Sequence, residues 1–489
     1  MSKWIATIGV LNAFDVAETL RFSDVAHIDD NGYFYDNRMT QPALIKVSPS
    51  DGGVFSIFSS PSIGEIELIN IDGALDYLAD YAVDNGVITL SLIDDDGQQT
   101  DYLTGKVETM QWRGDKVYFI VRSMNELLSK NHPTNKFAGN NALPSGLEGV
   151  SSDIKGNVKP KVFGSVKNAA PVLVNTSRLI YQFSDRVTAV VSAIYDKGAT
   201  ITLGTTYTQA NLATFETTAP TAGTFNRCMG YIKLGSAPVG TVTGDCADTY
   251  TLAGDVVETI LTDVSLTLNS TSKSALNAVG SVGIYMTGET STAQLIDSII
   301  KSCGAYYYFL NSIVYAKLTA LATVSALDLT DSENVSFTRT GVGIGSNGLP
   351  ISAVSIEYDK IETAQQETEL AGSVTAARKA VLSQQFRSAF VNDSAVIARH
   401  KLAGAIEIQS CLRVESDAVT VATRLLNLSK VRVDTVEITA VVSEIPPLDL
   451  GNGVTVTTTK LGYNDGKLLT VIGFEIDAKK KTIKLECIG

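Results

Sequence analysis

The sequence predicts a β-rich α+β protein built from several domains. Its 489 residues are enough for roughly three to five domains of about 100–150 residues each. Thr, Val, Ser and Ala together outnumber Glu, Lys and Leu, which favours strands over helices. With 44% hydrophobic and 19% charged residues, the chain can bury true cores, and we expect no wholesale disorder.

The charge balance narrows the classes of partner. A net charge of −13 and an isoelectric point near 4.8 argue against a nucleic-acid-binding surface, since phosphate binding needs clustered Lys and Arg. We find no apolar run of about 18 residues or more, so we expect no membrane span. Asn12, Asp15 and Glu18 interrupt the apolar N-terminus, which predicts a first strand rather than a signal peptide.

Residues 1–125 are predicted to form an N-terminal β-rich domain. The stretch Gly64–Tyr81 predicts a strand that passes through an Asp-Gly turn into a short amphipathic segment with helical spacing. It holds no catalytic group, and we interpret it as a rigid structural corner. Alternating apolar residues predict further strands at Val87–Ile93, Tyr102–Val107 and Val117–Val121.

Two units of different composition follow the first domain. Residues 126–158 are rich in Asn, Pro, Gly, Ser and Lys, which predicts a connecting loop region. Residues 159–250 alternate short apolar runs with Gly and Pro, a pattern typical of a small β-domain.

Residues 251–340 are predicted to form an α+β domain. Apolar residues at helical spacing predict helices at Gly254–Leu261 and Thr292–Cys303. Ser291 or Thr292 can cap the second helix, because a side-chain hydroxyl there accepts from a free backbone N–H.

Residues 341–489 are predicted to form a C-terminal α+β domain that closes with strands. We predict a strand at Ala353–Tyr358, and alternation from Leu468 to Cys487 predicts a closing hairpin. Helical spacing predicts three helices in between: Thr375–Phe390, with Phe386, Ala389 and Phe390 facing inward; Ser394–Ala403; and Asp417–Leu428, capped by Ser416.

The aromatic run Tyr306–Phe309 predicts a strand, with Ile313–Leu318 as its hairpin partner. Alternation along a strand separates Tyr306 and Tyr308 from Tyr307 and Phe309. The run could be a carbohydrate-binding platform. We favour a core on one side and a subunit interface on the other, because interfaces are rich in aromatic residues.

Three glycine-rich or acidic motifs are interpreted as structure rather than as ligand sites. Gly343–Gly348 matches GxGxxG, but a dinucleotide site needs a helix directly after it, and Leu349-Pro350 followed by a strand predicts a flexible joint instead. Asp29–Gly32 and Asp94–Gly97 lack the alternate oxygen ligands of a calcium loop, and we predict solvated hairpin turns.

The cysteines include no CxxC pair, which favours free thiols in a reducing cytoplasm. Cys228 and Cys246 flank a turn-rich segment, and we predict buried structural thiols rather than a zinc site. Whether any cysteine binds an iron–sulfur cluster stays open. The five cysteines are Cys228, Cys246, Cys303, Cys411 and Cys487.

We predict no enzyme, no cofactor, no metal, and no catalytic or ligand-binding residues. The sequence has no GxSxG elbow, HExxH helix or GxxxxGK[ST] loop. Glu65 and Glu67 are expected on the exposed face of a strand, and no general-acid pair can be assigned. His400 lies between Arg399 and Lys401 in a predicted helix, which favours a surface or interface role.

Several segments, read in chain order, carry a resemblance that spans nearly the whole sequence. They are Thr19–Phe22, Gln41–Ala43, Gly64–Tyr81, Lys159–Asn168, Pro171–Val174, Ile194–Gly198, Gly230–Gly235, Pro238–Asp245, Leu448–Val454, Leu461–Tyr463 and Gly466–Ile488. In this order they resemble the central tail hub (baseplate hub) proteins of long-tailed bacteriophages and related gene transfer agents. Each motif is moderately specific, and their order is the stronger signal.

The resemblance implies a tail-hub-like fold: two tube-type β-barrel domains plus accessory domains, with three subunits in a ring. It implies a non-enzymatic virion protein at the tail tip, made and assembled in the bacterial host cytoplasm. Such a homotrimeric hub joins the tail tube or distal tail ring to tip and fibre proteins and meets the tape measure protein. It forms part of the DNA ejection channel, and an acidic lumen suits DNA in transit.

Two alternatives stay open at this point. A receptor- or carbohydrate-binding tail protein predicts exposed aromatic residues, such as Tyr306 or Tyr33, in a groove. A cryptic hydrolase predicts that the purified protein degrades peptidoglycan or polysaccharide. No appended lysozyme or peptidase domain is recognisable in the sequence, which weakens the second alternative.

Overall fold

The structure is a computed structural model of the chain. It describes residues 2–42, 44–47, 64–122, 125–310, 313–332, 335–342, 348–442, 446 and 448–489. The Gly343–Gly348 motif therefore lies outside the described residues, except for its last glycine. Among these described residues, 33 strands far outnumber eight α-helices, which confirms the predicted β-rich α+β class.

The N-terminal region forms an antiparallel sheet and a small hairpin. Its strands are β1 (Lys3–Leu11), β2 (Ala17–Ser23), β3 (His27–Ile28), β4 (Phe34–Tyr35), β5 (Met39–Gln41), β6 (Leu44–Val47), β7 (Glu65–Ile69), β8 (Val87–Ile93), β9 (Gln99–Trp112) and β10 (Lys116–Arg122). Seven of them pair in the order β2-β1-β8-β9-β10-β7-β5, which confirms the predicted strands. The predicted helical segment after β7 is a short 3-10 helix, Asp76–Asp80.

The middle of the chain forms a nine-stranded sheet. The elements here are α1 (Asn125–Leu128), β11 (Asn131–His132), β12 (Lys161–Ala169), β13 (Val172–Asn175), β14 (Ile180–Gln182), β15 (Val190–Asp196), β16 (Ala199–Tyr207), α2 (Leu212–Thr217), β17 (Thr224–Cys228), β18 (Tyr231–Leu234) and β19 (Val242–Ala247). The sheet order is β13-β14-β18-β17-β16-β15-β19-β12, and a later strand completes the edge beside β12. Between β11 and β12 the chain runs through turns and isolated bridges.

Helices and short strands alternate in the next region. They are α3 (Ala253–Thr262), β20 (Thr267–Leu268), α4 (Ser270–Asn277), β21 (Gly283–Met286), β22 (Thr290–Ser291), α5 (Thr292–Ser302), β23 (Ala305–Leu310) and β24 (Ile313–Leu318). β21 is the strand that pairs with β12. The predicted cap of α5 is confirmed: Ser291 Oγ accepts the N–H of Gln294 at 3.2 Å, and the Gln294 side chain accepts the N–H of Ser291.

The last region closes the fold with a third large sheet, which has seven strands. Its elements are β25 (Ser325–Thr330), β26 (Val335–Val342), β27 (Ala353–Tyr358), α6 (Ala376–Leu382), β28 (Arg387–Asn392), α7 (Ser394–Arg399), β29 (Ala405–Gln409), α8 (Glu415–Ser429), β30 (Asp434–Val441), β31 (Gly453–Thr458), β32 (Tyr463–Asp477) and β33 (Thr482–Ile488). The order is β25-β31-β32-β33-β30-β26, and β6 adds to β32. The domain limit predicted between residues 340 and 341 falls inside β26.

Besides the end of α7 at Arg399 instead of the predicted Ala403, two helix predictions in this last region need correction. The predicted helix Thr375–Phe390 ends at Leu382, because β28 pairs antiparallel with β27 and this tertiary pairing outweighs local helical spacing. Phe390 is 60% exposed rather than inward-facing, whereas Ala389 on the opposite face of β28 is buried. Ser416 does not cap α8, since α8 begins at Glu415, and the Ser416 hydroxyl donates to Asp417 instead.

Two large hydrophobic cores organise the molecule. The first lies between the N-terminal sheet and the C-terminal sheet, and includes Ile66 and Phe119 from one sheet with Phe474 and Leu485 from the other. β6 ties the two sheets together, because it follows β5 in the chain but pairs with β32. The second core packs helices α3, α5 and α8 against β23 and β27. A smaller core fills one face of the nine-stranded sheet.

Candidate assembly surfaces and junctions

The strand β23 separates the two large cores. Tyr306 and Tyr308 point into the first core, while Tyr307 and Phe309 point into the second. None of the four side chains is more than 9% exposed. A carbohydrate platform and a subunit interface at this run are therefore both wrong, because each face is covered by the chain's own elements. We call these four residues the aromatic junction.

A buried tyrosine anchors the aromatic junction to the C-terminal sheet. The Tyr308 hydroxyl donates to Asp449 Oδ1 at 2.7 Å, and Lys317 Nζ lies 2.6 Å from Asp449 Oδ2. The ring of Tyr308 stacks on Tyr315 with centroids 5.5 Å apart. Burial and the neighbouring carboxylate of Asp449 raise the pKa of Tyr308, so its hydroxyl keeps the proton that it donates.

A second junction joins the nine-stranded sheet to β27 and β28 through charge. Lys167 Nζ lies 2.9 Å from the Asp359 carboxylate, Arg413 Nη2 lies 2.8 Å from it, and Arg387 pairs with it as well. The carboxylate is almost fully buried, with 3% of the Asp359 side chain exposed. We call these four residues the ionic joint, since three cations from β12, β28 and the segment before α8 converge on one buried anion.

Backbone and amide bonds extend the ionic joint. Asn168 is 1% exposed, and its Nδ2 donates to the carbonyl oxygen of Thr363 at 2.6 Å. Its Oδ1 accepts the hydroxyl of Thr243 at 2.7 Å. The backbone N–H of Thr363 donates back to the Asn168 carbonyl at 3.1 Å. The end of β12 is thereby bonded on both sides, to its own sheet and to the segment after Asp359.

The predicted corner after β7 is held by polar side chains. Asn70 Oδ1 accepts a backbone N–H five residues further on, and its Nδ2 donates to Asp76 at 2.8 Å. Arg38 binds Asp72 through two N–H···O bonds of 2.7 and 2.6 Å, which lower the pKa of Asp72 to about 2. Gly73, which directly follows Asp72, has φ = +70°, a conformation that favours glycine. This arrangement supports a structural role for the corner.

The predicted exposure of the β7 face is wrong for Glu67. Its side chain is only 12% exposed, compared with 39% for Glu65. The Glu67 carboxylate accepts hydrogen bonds from Thr40 and Lys116, both at 2.6 Å, and from Tyr118 at 3.0 Å. Burial opposes the charge, but these bonds outweigh it and lower the pKa of Glu67. The cluster joins β5, β7 and β10 across the strands.

The two acidic runs form the predicted turns. Asp29 Oδ1 accepts the N–H groups of Asn31 and Tyr33, at 3.0 and 2.8 Å. Asp94 Oδ1 accepts those of Asp96 and Gln98 in the same way, at 3.0 and 2.7 Å. An aspartate that bonds its own turn in this way is typical of a hairpin end. No cluster of three potential metal ligands occurs among the described residues.

The cysteines are free thiols, and all except the half-buried Cys411 are buried. Burial raises the pKa of Cys246 and that of Cys303 to about 12. Both thiols therefore stay protonated at neutral pH and are poor nucleophiles. The burial predicted for Cys228 and Cys246 is confirmed.

The histidines occupy different environments. His132 is 3% exposed, and its Nδ1 lies 3.9 Å from Asp263 Oδ2. Burial, and then the positive charge of Lys161, lowers the pKa of His132. His400 follows α7, which ends before the predicted residue 403, and its half-buried ring lines a surface pocket. The sequence singled out His400 but gave no signal for His132.

In the part of the chain that the structure covers, no helix is long and apolar enough to cross a membrane. No family profile matches the chain, and the search of curated proteins gave no match.

Three similar solved structures are tail proteins. The tail protein of Neisseria meningitidis MC58 is 9% identical with a TM-score of 0.41, covering 99% of this chain and 96% of that one. The 43 kDa tail protein of prophage MuSo2 from Shewanella oneidensis is 10% identical with a TM-score of 0.41, covering 100% and 98%. The prophage tail protein gp18 from Listeria monocytogenes EGD-e is 9% identical with a TM-score of 0.39, covering 98% and 94%.

Proposed function

We propose that this chain is a structural subunit of a phage tail, a homotrimeric central hub at the tail tip. The observation that carries the proposal is the pair of large sheets that share one core, each of them open at its edges. The sequence resemblance to tail hubs supports it independently. Two tube-type β-barrel domains in each subunit, together with accessory domains, are part of the same proposal.

Open edges need partners. Within the described ranges, β2 and β5 end one sheet, and β25 and β26 end the other. A bridge between Phe22 and Asp36 covers one end of β2, and no further strand pairs outside these four. An uncovered strand edge exposes unpaired N–H and C=O groups that favour association with another chain. Closure of several copies around one axis covers such edges on every subunit, which is how cyclic oligomers remove them.

The polar clusters of the described chain also support mechanical work. The ionic joint, the Glu67 cluster and the Tyr308–Asp449 pair each connect separate strands or segments. We therefore propose a non-enzymatic role. In this role the hub joins the tail tube or distal tail ring to tip and fibre proteins, contacts the tape measure protein, and surrounds DNA only in transit. The location is the virion, after assembly in the bacterial host cytoplasm.

Mass and imaging of the purified chain test the proposal. Three copies of 52.0 kDa give about 156 kDa by light scattering, and particle images should show a ring with a central opening. In tails of the encoding phage, labelled antibody should mark the tip. Label along the tail tube, or on the capsid, contradicts a hub.

Experiments on the same purified chain distinguish the hub from a binding protein and from a hydrolase. A monomer that binds glycans, with no ring in the images, favours a receptor- or carbohydrate-binding tail protein. Release of soluble sugars or peptides from cell-wall preparations favours a hydrolase. A trimeric ring that does neither supports the hub.

A further inference from the structure

An open pocket on this acidic chain is lined by basic side chains. The pocket lies between α7 and the segment after α8 and has a volume of about 490 Å³. Its apolar surface comes from Pro350, Val396 and Val431, and sites of about 300–1,000 Å³ hold organic groups in many proteins. Arg399 and Arg432 are exposed beside it. We call it the basic pocket.

The basic pocket holds positive charge that its own acids do not balance. Lys430 pairs with Asp393 at 3.3 Å, and Arg432 pairs with Asp434 at 3.1 Å. Asp434 also forms an ion pair with Arg339 at 3.0 Å, so its single negative charge is shared between two arginines. Arg399 forms no ion pair with any residue that the structure describes. A negatively charged, partly apolar partner fits this surface.

The chain itself presents a segment with the complementary character. The hairpin of β3 and β4, residues 27–35, which we call the acidic hairpin, carries the exposed Asp30 at its turn. Ile28 and Phe34 lie directly opposite each other in the register and so share one face. Their side chains are 63% and 59% exposed, which is unusual for neighbouring large apolar groups.

The acidic hairpin is already ordered without a partner. Asp29 Oδ1 holds its turn, the ring of Tyr35 packs on His27 with centroids 5.4 Å apart, and the Arg21 guanidinium lies 4.0 Å over the ring of Tyr33. A preformed hairpin loses little conformational entropy on binding. The face that carries Ile28 and Phe34 is left open for contact.

We propose that the acidic hairpin of one copy docks in the basic pocket of a neighbouring copy of this chain. Phe34 then packs against Val396 and Val431, while Asp30 lies against Arg399. The inference rests on the proposed homotrimer and names one of its contacts. Each aromatic side chain buries about 150–250 Å², far below a standard interface of about 1,600 Å², so this contact adds to a larger interface.

Charge reversal tests the pairing. Arg399→Glu and Asp30→Lys should each weaken association about tenfold, measured by light scattering on dilution, because each places like charges together. The double variant should return to within about threefold of the original chain, since the pair is restored with its signs exchanged. Lys401→Glu and Asp96→Lys, two exposed charges outside the contact, should leave association unchanged. These positions are exposed, so folding is not at risk.

Cross-linking tests the same contact by position. Phe34→Cys and Val431→Cys are placed in separately tagged copies, mixed, and oxidised, so that only a bond between copies is scored. A mixed disulfide supports the contact. A trimer that shows no mixed disulfide and no rescue by charge exchange overturns the docking but leaves the hub intact. A dimer that shows both keeps the docking and overturns the trimeric hub.

Discussion

The aromatic junction and the ionic joint both connect units of this chain, but they do so by opposite means. At the aromatic junction, alternate side chains of one strand enter two cores, and the hydroxyl of Tyr308 donates to Asp449. At the ionic joint, three cations from distant segments of the chain surround the carboxylate of Asp359. The first is built from neighbours in sequence, the second from residues far apart.

The difference has an energetic consequence. An apolar junction loses stability in proportion to the surface and volume removed, because neighbouring groups can partly close a gap. A buried carboxylate with several counter-ions behaves otherwise, since removing it leaves the guanidinium of Arg413, whose side chain is 5% exposed, without its anion and beside other cations. We therefore expect the ionic joint to be the more fragile of the two, although it contains less apolar surface.

The largest effect is expected from Asp359→Ala. Loss of the carboxylate leaves Lys167 and Arg413 without their shared anion, so the free energy of unfolding should fall by about 3–5 kcal/mol. Urea denaturation of the purified chain measures it. Asp72→Ala is the control: the Asp72 side chain is 50% exposed, so losing its pair with Arg38 should change the free energy of unfolding far less. Equal losses for the two variants contradict the fragile-joint interpretation.

At the aromatic junction, Tyr308→Phe should have a smaller effect. The ring and its stacking are kept, and only the hydroxyl bond to Asp449 is lost, which corresponds to about 1.5–3 kcal/mol for a bond to a charged group. Lys317 still pairs with Asp449, which favours the lower end of that range. Tyr315→Phe, in the neighbouring ring, should leave stability unchanged. A loss larger than that of Asp359→Ala reverses the order of the two junctions.

The buried His132 should make the stability of the chain depend on pH. Burial and the neighbouring Lys161 lower the pKa of His132 below its ordinary value of 6.5, so the folded chain binds fewer protons than the unfolded chain. The stability that neutral His132 contributes is therefore fully present above the ordinary pKa of 6.5. It is lost as the pH falls through the lower pKa of the folded chain. The groups that face it are Lys161, Arg186 and Asp263.

The pH dependence of urea midpoints between pH 7.5 and 5 measures this effect. His132→Gln should flatten the curve, by no more than about 1.4 kcal/mol per pH unit, the limit for one proton. If His132→Gln leaves the pH dependence of the urea midpoint unchanged, the loss of stability at low pH comes from other groups.

Sequence patterns predicted the aromatic junction better than the ionic joint, for a physical reason. The alternation of Tyr306–Phe309 and the cap at Ser291 are local, so spacing alone predicts the strand and the helix start. Which partners cover each face is not local, and the predicted subunit interface at this strand was wrong. Lys167 and Asp359 are 192 positions apart, and no local pattern marks either as buried.

The incorrectly predicted helix at Thr375–Phe390 also shows that local spacing does not reveal distant partners. Its apolar residues have helical spacing, but β27 offers a backbone partner from Arg387 onward, and that pairing decides the structure. Pairing partners distant in sequence are not visible in a window of ten to eighteen residues, about the length used for periodicity.

Phe390→Ser should have the smallest effect of these variants. It tests which face of β28 is buried, and the position of Arg387 in the ionic joint depends on that face. Phe390 is 60% exposed on β28, so stability should change by less than about 0.5 kcal/mol. Ala389→Ser, on the buried face of the same strand, should cost more because it places a hydroxyl in the second core. If Phe390→Ser is the more harmful of the two, the face assignment of β28 is inverted, and the position of Arg387 in the ionic joint fails with it.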